Sequence, residues 1–270
     1  MILLRTATAA TLLAAVLSAP ALGQDLTDEQ IGIATAFALN NSIFVLQHEI
    51  GHLLIAEFEL PVLGKEEDAA DSMASVTLLA RGSEDADAAL VDSADGWLLS
   101  ENSKVGEEYE DADFYDEHSL DIQRSYQIVC YMVGANPDAF GDVAEAYQMD
   151  ADRQESCGFD YQQATDSWGG LLEPHKGSGG KIEVTYEPAS EDFADIEQLL
   201  KDSQLLETAA TEIETTYDLP RDLKFTAKEC GEENAFYSYE DEGITFCYEM
   251  TAFFFDLAAQ DLTSAEPSLN

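Results

Sequence analysis

Basic side chains are scarce in this 270-residue chain. Lys and Arg together number 12 against 55 Asp and Glu, a formal charge of −43. A surface of that sign repels phosphate, which excludes ordinary binding to nucleic acid and to anionic membrane. Long apolar runs are missing beyond the first 23 residues. The stretch Thr251-Ala252-Phe253-Phe254-Phe255 is soon interrupted by Asp256 and Asp261, so no membrane span is predicted in the mature chain. The four cysteines lack any C-x-x-C spacing, which argues against a Cys-ligated metal. No internal repeat is visible. Lys176-Gly-Ser-Gly-Gly-Lys181 is not a phosphate loop, because the upstream Gly is absent and Ile182 stands where Ser or Thr is needed. The 13 acidic residues between Glu84 and Glu117 do not follow EF-hand spacing and read as a solvated face.

What is present favours a folded, exported protein. A hydrophobic fraction of 46% with 10% aromatics is too high for a disordered acidic chain. Arg5 is the sole charge before Asp25. An apolar run from Ala9 to Leu17 is followed by small residues, with Ala21-Leu22-Gly23 before Gln24. This predicts a signal peptide over residues 1–23 and a periplasmic or secreted protein. In that compartment Cys130, Cys157, Cys230 and Cys247 predict two disulfides. Of the three connectivities, the local one, Cys130–Cys157 with Cys230–Cys247, is the simplest.

Periodicity predicts an α+β chain. Thr27 with Gln30 reads as a capping box for a helix over residues 28–58, broken at Asn40-Asn41-Ser42 into two. Further helices are expected from Lys65 to Ala80, over residues 84–100, from Leu120 to Gly134 and from Asp138 to Gln148. After the linker at 176–181 the period changes. Ile182, Val184 and Tyr186 alternate with polar residues, as do Leu223, Phe225 and Ala227, and each set predicts a strand. A helix is expected from Ser190 to Tyr217. Asn234–Tyr239 and Ile244–Tyr248 flank a hairpin turn, and a last helix runs from Glu249 to Leu262. The organisation follows: a mostly helical region at 24–175, then an α/β lobe at 181–270.

One segment carries chemistry. His48-Glu49-Ile50-Gly51-His52 is H-E-x-x-H. On a helix, positions i and i+4 share a face, so His48 and His52 can hold one cation between them. Glu49 then lies beside the metal but not on it, placed to accept a proton from a metal-bound water. Gly51 leaves room near the site. Imidazoles suit Zn²⁺, which takes a third protein ligand and keeps an open position. Glu67, in Glu67-Asp68-Ala69-Ala70-Asp71 on the next helix, supplies it, with Glu66 or Asp68 as substitutes. Asp71, one turn on, is placed to accept the second ring N–H of a ligand histidine. The expected reaction is peptide hydrolysis on a peptide or protein substrate, with Glu49 as general base.

These residues resemble the gluzincin class of zinc metallopeptidases. The longer strings His48–Leu54 and Leu60–Asp71 resemble a family of exported bacterial proteins, catalogued as metallopeptidases from their motif but long known only as a domain of unknown function. The similarity extends to His118-Ser-Leu-Asp-Ile-Gln-Arg124, Cys130 with Gly134, Arg153 with Cys157, and Asn234–Tyr237 with Ile244–Glu249. It implies a zincin-like catalytic core, to which the alternation described above adds a small sheet and hairpin in the C-terminal third.

One role needs another residue, a donor to the tetrahedral oxyanion. His118 is the first candidate, because it precedes a helix carrying Gln123 and Arg124; Tyr248 is the second. His175 reads as structural or exposed. Trp97, Trp168 and Phe253–Phe255 read as core. Arg124 and Arg153 read as anchors for buried or half-buried carboxylates. The competing functional reading is a non-catalytic zincin-like binding module of the cell envelope. The acidity suits either the attraction of cationic peptides or salt adaptation, and oligomeric state is left open by the sequence.

Overall fold

A computed structural model describes residues 26–104, 106, 108–264 and 267–269. The expected signal peptide at 1–23 lies outside the described residues. The fold is α+β, mostly helical, with one four-stranded sheet in the C-terminal part.

Helix α1 (Asp28–Glu57) is the axis of the molecule. Thr27 caps it in the expected box with Gln30. Thirty residues at 1.5 Å each make a rod about 45 Å long. The expected break at residues 40–42 does not occur. Asn41 and Ser42 are buried and turn their polar groups back onto the helix: Asn41 Nδ2 donates to Phe37 O and Ser42 Oγ to Ala38 O. Ser42 Oγ also meets Thr251 Oγ1, on the last helix, at 2.8 Å. Residues that cap helices at a surface are here held mid-helix, because packing covers them and the i−4 carbonyls accept from their side-chain donors, although Asn41 Oδ1 is buried without a partner.

Helices α2 (Glu66–Arg81) and α3 (Glu84–Ser103) pack on α1, and α5 (Asp121–Ala135) packs on α2 and α3. A short α4 (Asp111–Tyr115) interrupts the acidic loop. Helix α6 (Pro137–Ala146) leads to α7 (Ala151–Leu172). The sequence reading assigned nothing to the α7 segment, whose buried face amounts to Cys157, Trp168 and Leu172. So few apolar positions give no helical period; what pins α7 is its contact with α5 and the disulfide Cys130–Cys157.

Strand β1 (Ile182–Tyr186) pairs parallel with β2 (Leu223–Lys228), and β2 pairs parallel with β4 (Gly243–Cys247). The hairpin partner β3 (Ala235–Ser238) runs antiparallel to β4 and forms the edge, in the order β1-β2-β4-β3. The crossover from β1 to β2 is two helices rather than one. Helices α8 (Ala194–Ser203) and α9 (Leu205–Thr216) meet at Gln204, whose φ of 52° is left-handed and ends the first of them. The second disulfide, Cys230–Cys247, ties the chain after β2 to the end of β4. Helix α10 (Tyr248–Leu262) returns along α1, and β3 and β4 also touch α1. One continuous apolar core joins α1, α2, α3 and α5 to the sheet and α10. No described helix is long and apolar enough to cross a membrane.

Candidate metal centre

The C-terminal half of α1 faces α2 closely. A Cβ on Gly51 would lie 3.0 Å from Ala70 Cα, so the missing side chain serves the helix crossing. That approach sets the first turns of α2 against the histidines. His48 Nε2 and His52 Nε2 are 3.1 Å apart, and Glu67 Oε2 lies 3.1 Å from the first and 3.2 Å from the second. The three donor atoms fall within 4.8 Å of one another.

The outer nitrogens are held by other carboxylates. Asp71 Oδ1 is 2.6 Å from His48 Nδ1, and Glu66 Oε1 is 3.0 Å from His52 Nδ1. Glu66 thus holds the outer side of His52, and Asp68 accepts a hydrogen bond from Ser119 Oγ at 2.6 Å. Among the residues weighed as third ligand, Glu67 is the one that meets both inner nitrogens.

Charge is arranged unevenly here. For His48, burial opposes the charged ring, but Asp71 and Glu67 outweigh it and push the pKa up to about 9. For Glu67, burial is likewise outweighed, by contacts from His118, His48 and His52 that hold its carboxyl below the usual range. Asp71 is buried, yet Arg124 and His48 hold its carboxyl low as well. Glu49 differs: burial pushes its carboxyl up, against the pull of His48, His52 and the Tyr237 amide. A carboxylate so raised accepts a proton more readily than an exposed one.

The donor set fits a divalent cation. Two inward imidazole nitrogens 3.1 Å apart, with a carboxylate oxygen against both, are spaced to share one cation once the rings are neutral. Two nitrogens and one oxygen suit zinc.

His118 Nε2 reaches Glu67 Oε2 at 3.0 Å from the acidic loop, with its side chain half exposed. Lys65 Nζ holds that loop through the carbonyls of Asp116 and His118. Tyr248, the second oxyanion candidate, is fully buried, and its hydroxyl donates to Glu187 O at 2.7 Å. His175 stacks on Phe58 at 4.1 Å. Arg124 pairs with Asp71 in the core, whereas Arg153 pairs with the half-exposed Asp160.

Sequence reasoning missed one contact at the centre. The Tyr237 N–H, on edge strand β3, donates to Glu49 Oε2 at 2.9 Å. The Tyr237 hydroxyl donates to Glu57 at 2.7 Å, and Arg221 grips the same carboxylate. A backbone donor 188 positions from Glu49 leaves no mark in the sequence. A cavity of about 320 Å³ opens beside Glu49, with Val45, Trp97, Ser100, Asp121, Asn234 and Met250 in its wall.

A family model described as "Putative metallopeptidase" (DUF4344) matches residues 21–172 and 186–268. No curated protein and no solved structure matches the chain.

Proposed function

The chain belongs to this metallopeptidase family, and from that premise we propose that it is an exported, zinc-dependent peptidase of the gluzincin kind. His48, His52 and Glu67 hold the ion, Asp71 orients His48, and Glu49 is the general base. The observation that carries this reading is the convergence of three donor atoms within 4.8 Å, with the raised carboxyl of Glu49 one residue from the first of them.

When bound, zinc supplies Lewis acidity to the scissile carbonyl and makes water a usable nucleophile near neutral pH. The chain's own groups do the rest. The Tyr237 N–H occupies one oxygen of Glu49 and leaves the other to take the proton of the attacking water. Glu49 then delivers that proton to the leaving amine. His118, held over the ligands by Lys65, donates to the oxyanion. Edge strand β3 lies beside Glu49, with its outward Tyr237 N–H engaged by that carboxylate and its outward Ala235 N–H by Asn234 Oδ1. In this reading residues 24–175 provide the ligands and the lobe at 181–270 provides the edge strand.

Two measurements on the purified protein decide the matter: zinc stoichiometry, and cleavage of a mixed peptide library by wild type and Glu49→Gln. One zinc per chain, with cleavage lost in Glu49→Gln while zinc is retained, is the expected result. Cleavage that survives Glu49→Gln rejects the general base. Stoichiometric zinc without turnover rejects the peptidase and leaves a binding module. Glu67→Ala should lower zinc occupancy; unchanged occupancy rejects Glu67 as a ligand.

A further inference from the structure

Behind His48, Asp71 is itself held by contacts that the proposed mechanism does not use. Asp71 Oδ1 accepts from both His48 Nδ1, at 2.6 Å, and Arg124 Nη2, at 2.8 Å, and its Oδ2 accepts from Arg124 Nε at 2.7 Å. The guanidinium carbon lies 3.7 Å from the centroid of the Trp97 ring. Trp97 in turn meets Phe254 edge to face, with centroids 5.8 Å apart. Helices α1, α2, α3, α5 and α10 each contribute one group to this stack, and all five side chains are buried.

Such an arrangement is a poor way to add stability. A buried ion pair recovers its desolvation cost only with good geometry, and apolar residues of the same volume often do as well. What the pair provides is direction. A guanidinium fork bonded to both oxygens fixes the plane of the carboxylate, and a ring under the fork fixes the plane of the guanidinium. Asp71 then has one orientation, which sets the rotation of the His48 ring about its Nδ1 contact and therefore the direction of Nε2. His52 is treated differently. Its outer partner is Glu66, half exposed and without a comparable fork.

We infer that Arg124, clamped on Trp97, is a positioning residue that acts through Asp71 to aim His48 Nε2 at the ligand centre before any cation binds. The inference rests on the zinc reading above, but not on turnover. It assigns the rigidity of the centre to His48 and leaves His52 as the adaptable ligand.

The test is zinc affinity, measured by chelator competition on the purified full chain, together with the visible spectrum of the Co²⁺-substituted protein. Arg124→Met and Asp71→Asn should each weaken zinc by about 10- to 100-fold. The double variant should bind no more weakly than the weaker single one, because both changes cut the same link. Arg124→Lys keeps the charge but loses the fork, so it should also weaken zinc and alter the Co²⁺ spectrum. Glu66→Gln should change affinity by less than about fivefold. Wild-type affinity and spectrum in Arg124→Lys overturn the inference. If Arg124→Met alone fails to fold with an unpaired buried Asp71, the double variant decides, since it removes both charges; zinc bound there at wild-type strength also overturns it. A wild type that binds zinc and cleaves nothing rejects the peptidase reading while leaving this one standing. A wild type that binds no zinc overturns both.

Discussion

His48 sits between opposed demands, and on the proposed zinc reading the balance makes metal binding depend on pH. Burial works against the charged ring, while Asp71 and Glu67 favour it strongly enough to push the pKa up to about 9. The folded value exceeds the ordinary 6.5. In the metal-free protein the resulting stabilisation is therefore complete below pH about 6.5 and is lost as pH rises through about 9. Zinc must displace that proton. Its affinity should fall by about tenfold per pH unit, for each proton displaced, as pH drops below about 9. Titrations between pH 6 and 9.5 measure this directly, and a flat profile would show an unprotonated ring in the free protein. Asp71 works in the other direction. Arg124 and His48 hold its carboxyl below the usual range, so its contribution is whole above the ordinary value of 3.8 and drains away on further acidification. At this scale the sequence was informative about residues sharing a helix face or a short link: His48, His52, Glu67 and Asp71. It was silent about Tyr237 on Glu49, and it read Arg124 as an anchor without naming Asp71, 53 positions away.

Elements place these residues, and the place where two of them nearly touch is the sensitive one. A Cβ at Gly51 would stand 3.0 Å from Ala70 Cα, 3.2 Å from its Cβ and 3.3 Å from its carbonyl oxygen. Backbone does not yield as a flexible side chain does, so Gly51→Ala must push α2 outward and carry Glu67 and Asp71 with it. We expect a loss of about 1–3 kcal/mol in urea unfolding, accompanied by weaker zinc binding. Unchanged affinity would mean that α2 tolerates the shift without moving its carboxylates. The disulfides act at the same scale. Replacing Cys130 and Cys157 by Ser opens a link of 27 positions between α5 and α7, and replacing Cys230 and Cys247 opens one of 17. Loop-closure entropy gives losses of about 3.5 and about 3 kcal/mol. The first should loosen α7 ahead of the rest, since few apolar side chains hold that helix; hydrogen exchange confined to residues 151–172 would show it. The same sparseness explains why α7 escaped a periodicity argument. The false break in α1 has the opposite cause. Asn41 and Ser42 carry a surface signal, and burial against α3 and α10 overrode it.

The whole molecule carries far more negative charge than its bases can neutralise. Among the described residues, Arg81, Lys104, Arg124, Arg153, Lys176, Lys201, Arg221 and Lys224 pair with carboxylates. With 55 acidic residues in the chain, most carboxylates have no basic partner and repel one another across the surface. Net charge of this size opposes the compact state. Salt shortens the reach of that repulsion, from about 10 Å at 0.1 M to about 3 Å at 1 M. The folded protein should therefore melt at a higher temperature in 1 M NaCl than in 0.1 M, the reverse of a protein held by surface ion pairs. The same field bears on substrate. It raises the local concentration of cations near the cleft and does nothing for neutral peptides. Cleavage of a cationic peptide should lose kcat/KM steeply between 0.05 and about 0.5 M salt, while an uncharged peptide of the same length should hold steady or gain as the fold tightens. Parallel salt profiles for the two peptides would separate stability from recognition and leave the acidity as an adaptation of the fold alone.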